Sequence, residues 1–145
     1  MNKLITLSGL LGAMLLSGGV YAGDIQVEGA WARATAPGQD VAMVDVTITS
    51  SKAANLVGVT SAACKGVQIH TMTHDNGVMK MREVKSIELP AGKRIALGER
   101  GYHLMLMGLN APLVAGATLP LTLNVKAGDK ETQVEVRAEV KPLTY

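Results

Sequence analysis

Residues 70–81 read His-Thr-Met-Thr-His-Asp-Asn-Gly-Val-Met-Lys-Met. Asn76-Gly77 decides the local fold, because a type I′ turn needs positive φ at both central residues and these two types tolerate it. A two-residue loop there sets Asp75 opposite Val78, His74 opposite Met79 and Met72 opposite Met81. Strand side chains alternate faces, so His70, Met72, His74, Met79 and Met81 then share one face of a hairpin. A slip of one residue would scatter them over both faces, which makes the expectation sharp.

Outward from this hairpin the chain reads as further short strands. Runs rich in β-branched or alternating apolar residues occupy 41–49, 56–60, 67–73, 78–87, 102–107, 119–125 and 132–140. Pro37-Gly38, Asn76-Gly77, Pro90-Ala91-Gly92, the stretch 98–101 and Ala127-Gly128-Asp129 supply the turns between them. Only 51–55 has room for one helical turn. The expected fold is therefore all-β, a single-domain antiparallel β-sandwich with Greek-key links. In segment 102–107, His103, Met105 and Met107 point one way and Tyr102, Leu104 and Leu106 the other. Val78, Ile69, Leu104 and Leu106 are left for the core.

The chain of 145 residues is one domain's worth, long enough for a single core. It opens with Lys3, an apolar run over 4–16, and Ser17-Gly18-Gly19 before Val20-Tyr21-Ala22. That is the form of a secretory signal peptide over 1–22, cleaved after Ala22 to leave a domain of 23–145. The run is shorter than the ~18 residues that span a bilayer, and nothing later is longer, so no membrane span is expected after cleavage. The formal net charge is only +2, and removing Lys3 takes away one cation. With aromatic residues at 3% and no Phe, neither the charge footprint nor the stacking surface of a nucleic-acid binder is present. Cys64 is the single cysteine, which precludes an internal disulfide and reads as a small buried hydrophobe. It lies far from the leader, so lipid attachment there is unsupported.

The three histidines, His70, His74 and His103, all fall between positions 70 and 107, together with Met72, Met79, Met81, Met105 and Met107. Thioether sulfur is neutral and polarizable and prefers a soft ion of low charge such as Cu(I), while imidazole suits copper in either oxidation state. Cu(I) is the preferred cargo, with Cu(II) also admitted. Structural zinc would call for Cys and His, and calcium or magnesium for carboxylate oxygen.

Ten residues separate His70 from Met81, and twenty-one separate Met81 from His103-Leu104-Met105. This His…Met…His-x-Met spacing resembles the HX10MX21HXM signature of the PCuAC family, periplasmic copper chaperones with a cupredoxin-like β-sandwich. Trp31-Ala32-Arg33-Ala34 and Pro120-Leu121-Thr122-Leu123 extend the likeness over nearly the whole mature chain. The resemblance implies His70, Met81, His103 and Met105 as metal ligands, with Met72 as an additional ligand or sulfur shield. It further implies a periplasmic chaperone that delivers Cu(I) for assembly of cytochrome oxidase copper centres. Its partner would be an oxidase subunit bearing the CuA site, or another copper chaperone. Ordinary packing is the expectation for Met79 and Met107, solvation or an auxiliary copper role for His74, and a packing anchor for Trp31. Arg82, Lys80, Lys93 and Arg94 read as solvated edge charges.

Two other readings fit parts of the pattern. An electron-transfer cupredoxin would use Cys64, His70 and Met72, but needs a further histidine upstream of Cys64, where there is none. A metal-free assembly module would simply be rich in methionine. No nucleophile-and-base arrangement or phosphate-cradling loop suggests an enzyme.

Overall fold

Alternation of buried residues with half-buried or exposed ones along Val41–Ser50, Thr118–Ala127 and Lys130–Lys141 builds the core of the molecule. The computed structural model describes residues 20–98 and 101–143, with side chains from residue 23 onward; most of the leader expectation thus lies outside the described residues. Eleven strands form among these residues: β1 (Val20–Ala22), β2 (Ile25–Arg33), β3 (Val41–Ser50), β4 (Ala54–Thr60), β5 (Cys64–Asp75), β6 (Val78–Val84), β7 (Ile87–Leu89), β8 (Arg94–Leu97), β9 (Tyr102–Leu109), β10 (Thr118–Ala127) and β11 (Lys130–Lys141). Their hydrogen-bonded order is β6-β5-β9-β3-β2-β11-β10-β4-β7, with β1 added on β2 and β8 on β3. The fold is the expected all-β, cupredoxin-like sandwich. Every pairing is antiparallel except that of β11 with β2.

Inward residues of all the long strands meet in one apolar cluster. On β3, Val44, Val46 and Ile48 are buried; Leu104 and Leu106 come from β9, Leu119, Leu121 and Leu123 from β10, and Val134, Val136 and Val140 from β11. Period two then fixes what the other face of β9 must carry, namely His103, Met105 and Met107.

Three expectations are corrected, and one long strand is added. The run 78–87 is two strands: after β6, Lys85 and Ser86 lead the chain to β7, which pairs with β4 at the far end of the strand order. Residues 51–55 make no helical turn; Ser51 N–H donates to Asp24 O at 2.9 Å and Ser51 Oγ to Asp24 Oδ1 at 2.8 Å, and Ala54 already begins β4. Val78 is 55% exposed, because the tip of the β5–β6 hairpin projects past the core. Strand β2 was not anticipated, since Gly29 (φ 61°) interrupts its alternation at a shift of register against β3.

Candidate metal centre

The hairpin forms in the expected register. Asn76 and Gly77 adopt φ of 49° and 79°, and His70 stands opposite Glu83, Met72 opposite Met81, His74 opposite Met79 and Asp75 opposite Val78. On its other side β5 pairs with β9, which puts His70 opposite His103 and Gln68 opposite Met105. Strand β3 follows, with Met43 opposite Met105. Directly opposed residues project to the same side of a sheet. Nitrogen and sulfur donors from four neighbouring strands therefore lie on one face, opposite the core.

Two of these donors touch. His70 Nδ1 lies 3.1 Å from Met81 Sδ, and His70 Nε2–H donates to Gln68 Oε1 at 2.9 Å. With the ring proton held by Gln68, the lone pair on Nδ1 is the one aimed at the thioether. A cation between them would accept from both, and an outer partner of this sort fixes the tautomer of a ligating histidine.

His103 completes the group from a different setting. It is 5% exposed although it lies on the outward face, and its Nδ1 is buried without a hydrogen-bond partner. A buried nitrogen left unpaired costs free energy unless something accepts its lone pair or proton, so this atom suits a ligand. Met105, half-buried, is two residues further along β9 and diagonal to His70. Met72 is half-buried between the strands, and Met81 is 53% exposed. The five anticipated residues thus share one face. The direct contact is His70–Met81; His103 and Met72 are cross-strand neighbours of that pair, and Met105 stands one step beyond.

Other expectations divide. Cys64 is buried as anticipated, and burial pushes its thiol up from the usual range. It is six residues along β5 from His70, about 20 Å at strand rise, so the two cannot share one ion and a blue-copper set does not assemble. Met79 is 54% exposed, against its expected packing role, because β6 is an edge strand beyond the core. Trp31 is only half-buried, with Lys141 Nζ at 4.5 Å and Arg33 Cζ at 5.8 Å from its ring centroid, so it is a cation-stacked surface ring more than an anchor. Lys80, Arg82, Lys93 and Arg94 are exposed, as expected. Sequence reasoning passed over Gln68, Met43 and Glu83. Gln68 sits two residues before His70, a same-face spacing that was available as a signal. No group of three or more His, Cys, Asp or Glu residues converges among the described residues, so the donor set depends on methionine sulfur.

Known proteins resemble this chain in sequence and in fold. Residues 25–140 match the model of the LpqE-like family, "Putative lipoprotein LpqE-like". The chain belongs to the LpqE-like family. This LpqE-like chain is 41% identical over 111 residues to "Putative lipoprotein Lxx21020" of Leifsonia xyli subsp. xyli, covering 76% of this chain and 67% of that one. Among solved structures, the apo PCuAC domain from PmoF1 superposes with a TM-score of 0.71 at 23% identity, over 86% of this chain and 99% of the domain. The solution structure of CuI-DR1885 from Deinococcus radiodurans gives a TM-score of 0.61 at 32% identity, over 78% of this chain and 75% of that one. The LpqE-like chain therefore has the PCuAC fold.

Proposed function

We propose that this protein is an exported Cu(I) chaperone that holds copper through His70, Met81, His103 and Met105, with Met72 as an additional sulfur. The observation that carries the reading is the approach of His70 Nδ1 and Met81 Sδ to 3.1 Å, beside a buried His103 whose Nδ1 is unpaired. Neutral imidazole and thioether donors suit a soft monovalent ion, and Cu(I) is preferred over Cu(II) on that ground. The likeness to CuI-DR1885, at 32% identity, supports copper as the metal.

Copper is cargo here, and its passage is ligand exchange without redox change. Met81, on the exposed edge strand, gives way first to an incoming donor of the acceptor; His103, buried on β9 next to the core residue Leu104, releases last. The PCuAC resemblance points to an oxidase subunit bearing CuA, or a second copper chaperone, as the acceptor. Export follows from reading 1–22 as a leader, whose cleavage after Ala22 removes the short β1 from the edge of β2, and relatives named as lipoproteins are in keeping with export.

Anaerobic competition with a Cu(I) chelator tests the reading. Wild type should withdraw copper tightly, and His103→Ala and Met81→Leu should each weaken the competition. Equally poor competition by all three proteins would leave the metal-free module as the better account. X-ray absorption of the Cu(I) form counts sulfur and nitrogen neighbours directly. For handover, copper must reach an isolated CuA domain faster than it dissociates spontaneously; equal rates would sink direct transfer.

A further inference from the structure

The tip of the β5–β6 hairpin carries donors that the site above does not use. His74 and Met79 are directly opposed, and Met72 and Met81 are the next pair on the same face. A two-residue turn closes on a hydrogen-bonded pair, here Asp75–Val78. Alternation along the ladder then puts His74–Met79 and Met72–Met81 in the non-hydrogen-bonded class, where side chains stand closest, with Cβ atoms about 4.5–5.5 Å apart.

Burial rules out the ordinary reason for a methionine at this place. Met79 is 54% exposed and packs into no core, and His74 is exposed as well. The opposite face of the tip holds the charge: Lys80 Nζ lies 3.7 Å from Asp75 Oδ2. The face bearing His74 and Met79 thus presents one imidazole and nearby thioethers to solvent, with no carboxylate of its own at the tip.

We propose that His74 and Met79, with Met72 as third donor, form a second Cu(I) site at the hairpin tip, which loads and unloads the inner site. The proposal rests on the Cu(I) reading above. Four residues of β5, about 13 Å, separate His74 from His70, too far for one ion to bind both. Met72 lies halfway, about 6.6 Å along the strand from each, and faces Met81. The Met72–Met81 pair therefore bridges the two sites, and copper crosses by exchanging one neutral sulfur for another. Three donors on an exposed tip bind more weakly than a set anchored by buried His103, which gives the direction of loading.

Stoichiometry and methionine methyl spectra of the whole protein test this. Cu(I) is titrated into wild type carrying 13C-methyl methionine, against a competing chelator. Two equivalents should bind, the first moving the Met81 and Met105 methyl signals and the second that of Met79. His74→Ala combined with Met79→Leu should reduce the count to one and leave the tighter affinity unchanged; His103→Ala should abolish the tighter equivalent and keep the weaker. Met79→Leu alone, nearly isosteric at an exposed position, asks the same question should the double variant disturb the turn. A single equivalent in wild type, or two retained in both Met79 variants, overturns the tip site while leaving the inner one standing. Failure of wild type to bind any Cu(I) overturns the chaperone reading instead.

Discussion

Strands β9 and β6 offer donors to the same face from opposite environments. On β9, His103 is 5% exposed and Leu104 and Leu106 are fully buried, so the donors there are fixed by the core. On β6, at the edge of the strand order, Met79 and Met81 are both more than half exposed and the strand contributes nothing to the apolar cluster before Val84. Strand β5 lies between them and contributes His70 to both neighbours. A protein that stores an ion has reason to bury every donor. Here the β9 donors sit against the core and the β6 donors are accessible, which on the proposed reading suits an ion that must be held and also given up.

The largest effect should come from attacking β9 from its inner side. Leu104→Ala should cost about 2–5 kcal/mol in urea unfolding, whereas Val78→Ala, at the exposed tip of β6, should stay within about 0.5 kcal/mol. Similar losses for the two would erase the contrast between the strands. In copper affinity, His103→Ala should exceed the roughly 100-fold that bounds losses from outer partners of a ligand. Met81→Leu should cost less than His103→Ala and should speed copper release; the reverse order would mean that the edge strand, and not β9, is the anchor.

Gln68 sharpens the comparison from the middle strand. Gln68→Leu should lower Cu(I) affinity about 10–100-fold and release the His70 tautomer, read from ring 15N shifts of the apo protein. Gln68→Glu, which keeps an acceptor oxygen, should restore the Nε2–H form. A leucine variant with unchanged tautomer and affinity would reduce Gln68 to a bystander. Gly77→Ala forces a side chain into φ of 79° and should cost about 1–2 kcal/mol. That loss should appear as faster hydrogen exchange in β6 and not in β9.

The smallest effect concerns Cys64. Burial raises its thiol above the usual range, so the reactive thiolate is scarcer in the folded chain at a given pH. Labelling near pH 8 should be more than about tenfold slower in folded than in unfolded protein. Because the folded-state value is the higher one, this thiol favours folding below its unfolded value and ceases to do so as pH rises toward the folded value. Stability measured between pH 8 and 10 should fall accordingly.

The register of the hairpin was legible because Asn76-Gly77 leaves one turn geometry open, and alternation then placed five donors. The same alternation set Leu104 and Leu106 inward and His103 and Met105 outward. Strand β2 was hidden by the bulge at Gly29, and β7 and β8 are too short, at three and four residues, for a period to emerge. The exposure of Met79 and the burial of His103 were illegible for a common reason. Both lie on the outward face, and what covers or uncovers an outward residue is set by distant segments of chain. Gln68 escaped notice because an amide is no ligand for a soft ion; its part emerges only once it is seen to hold the ring nitrogen.

One connection bears on the shape of the whole. Strands β6 and β7 stand at the two ends of the hydrogen-bonded order, yet only Lys85 and Ser86 lie between them in the chain. Three peptide steps from Val84 to Ile87 reach at most about 11 Å. The opposite margins of an open sheet must therefore curl round to within that distance, and a covalent strap closes the circuit that hydrogen bonds leave open. The donor-bearing margin is in this way leashed at its root to the far wall of the molecule, while its tip stands exposed.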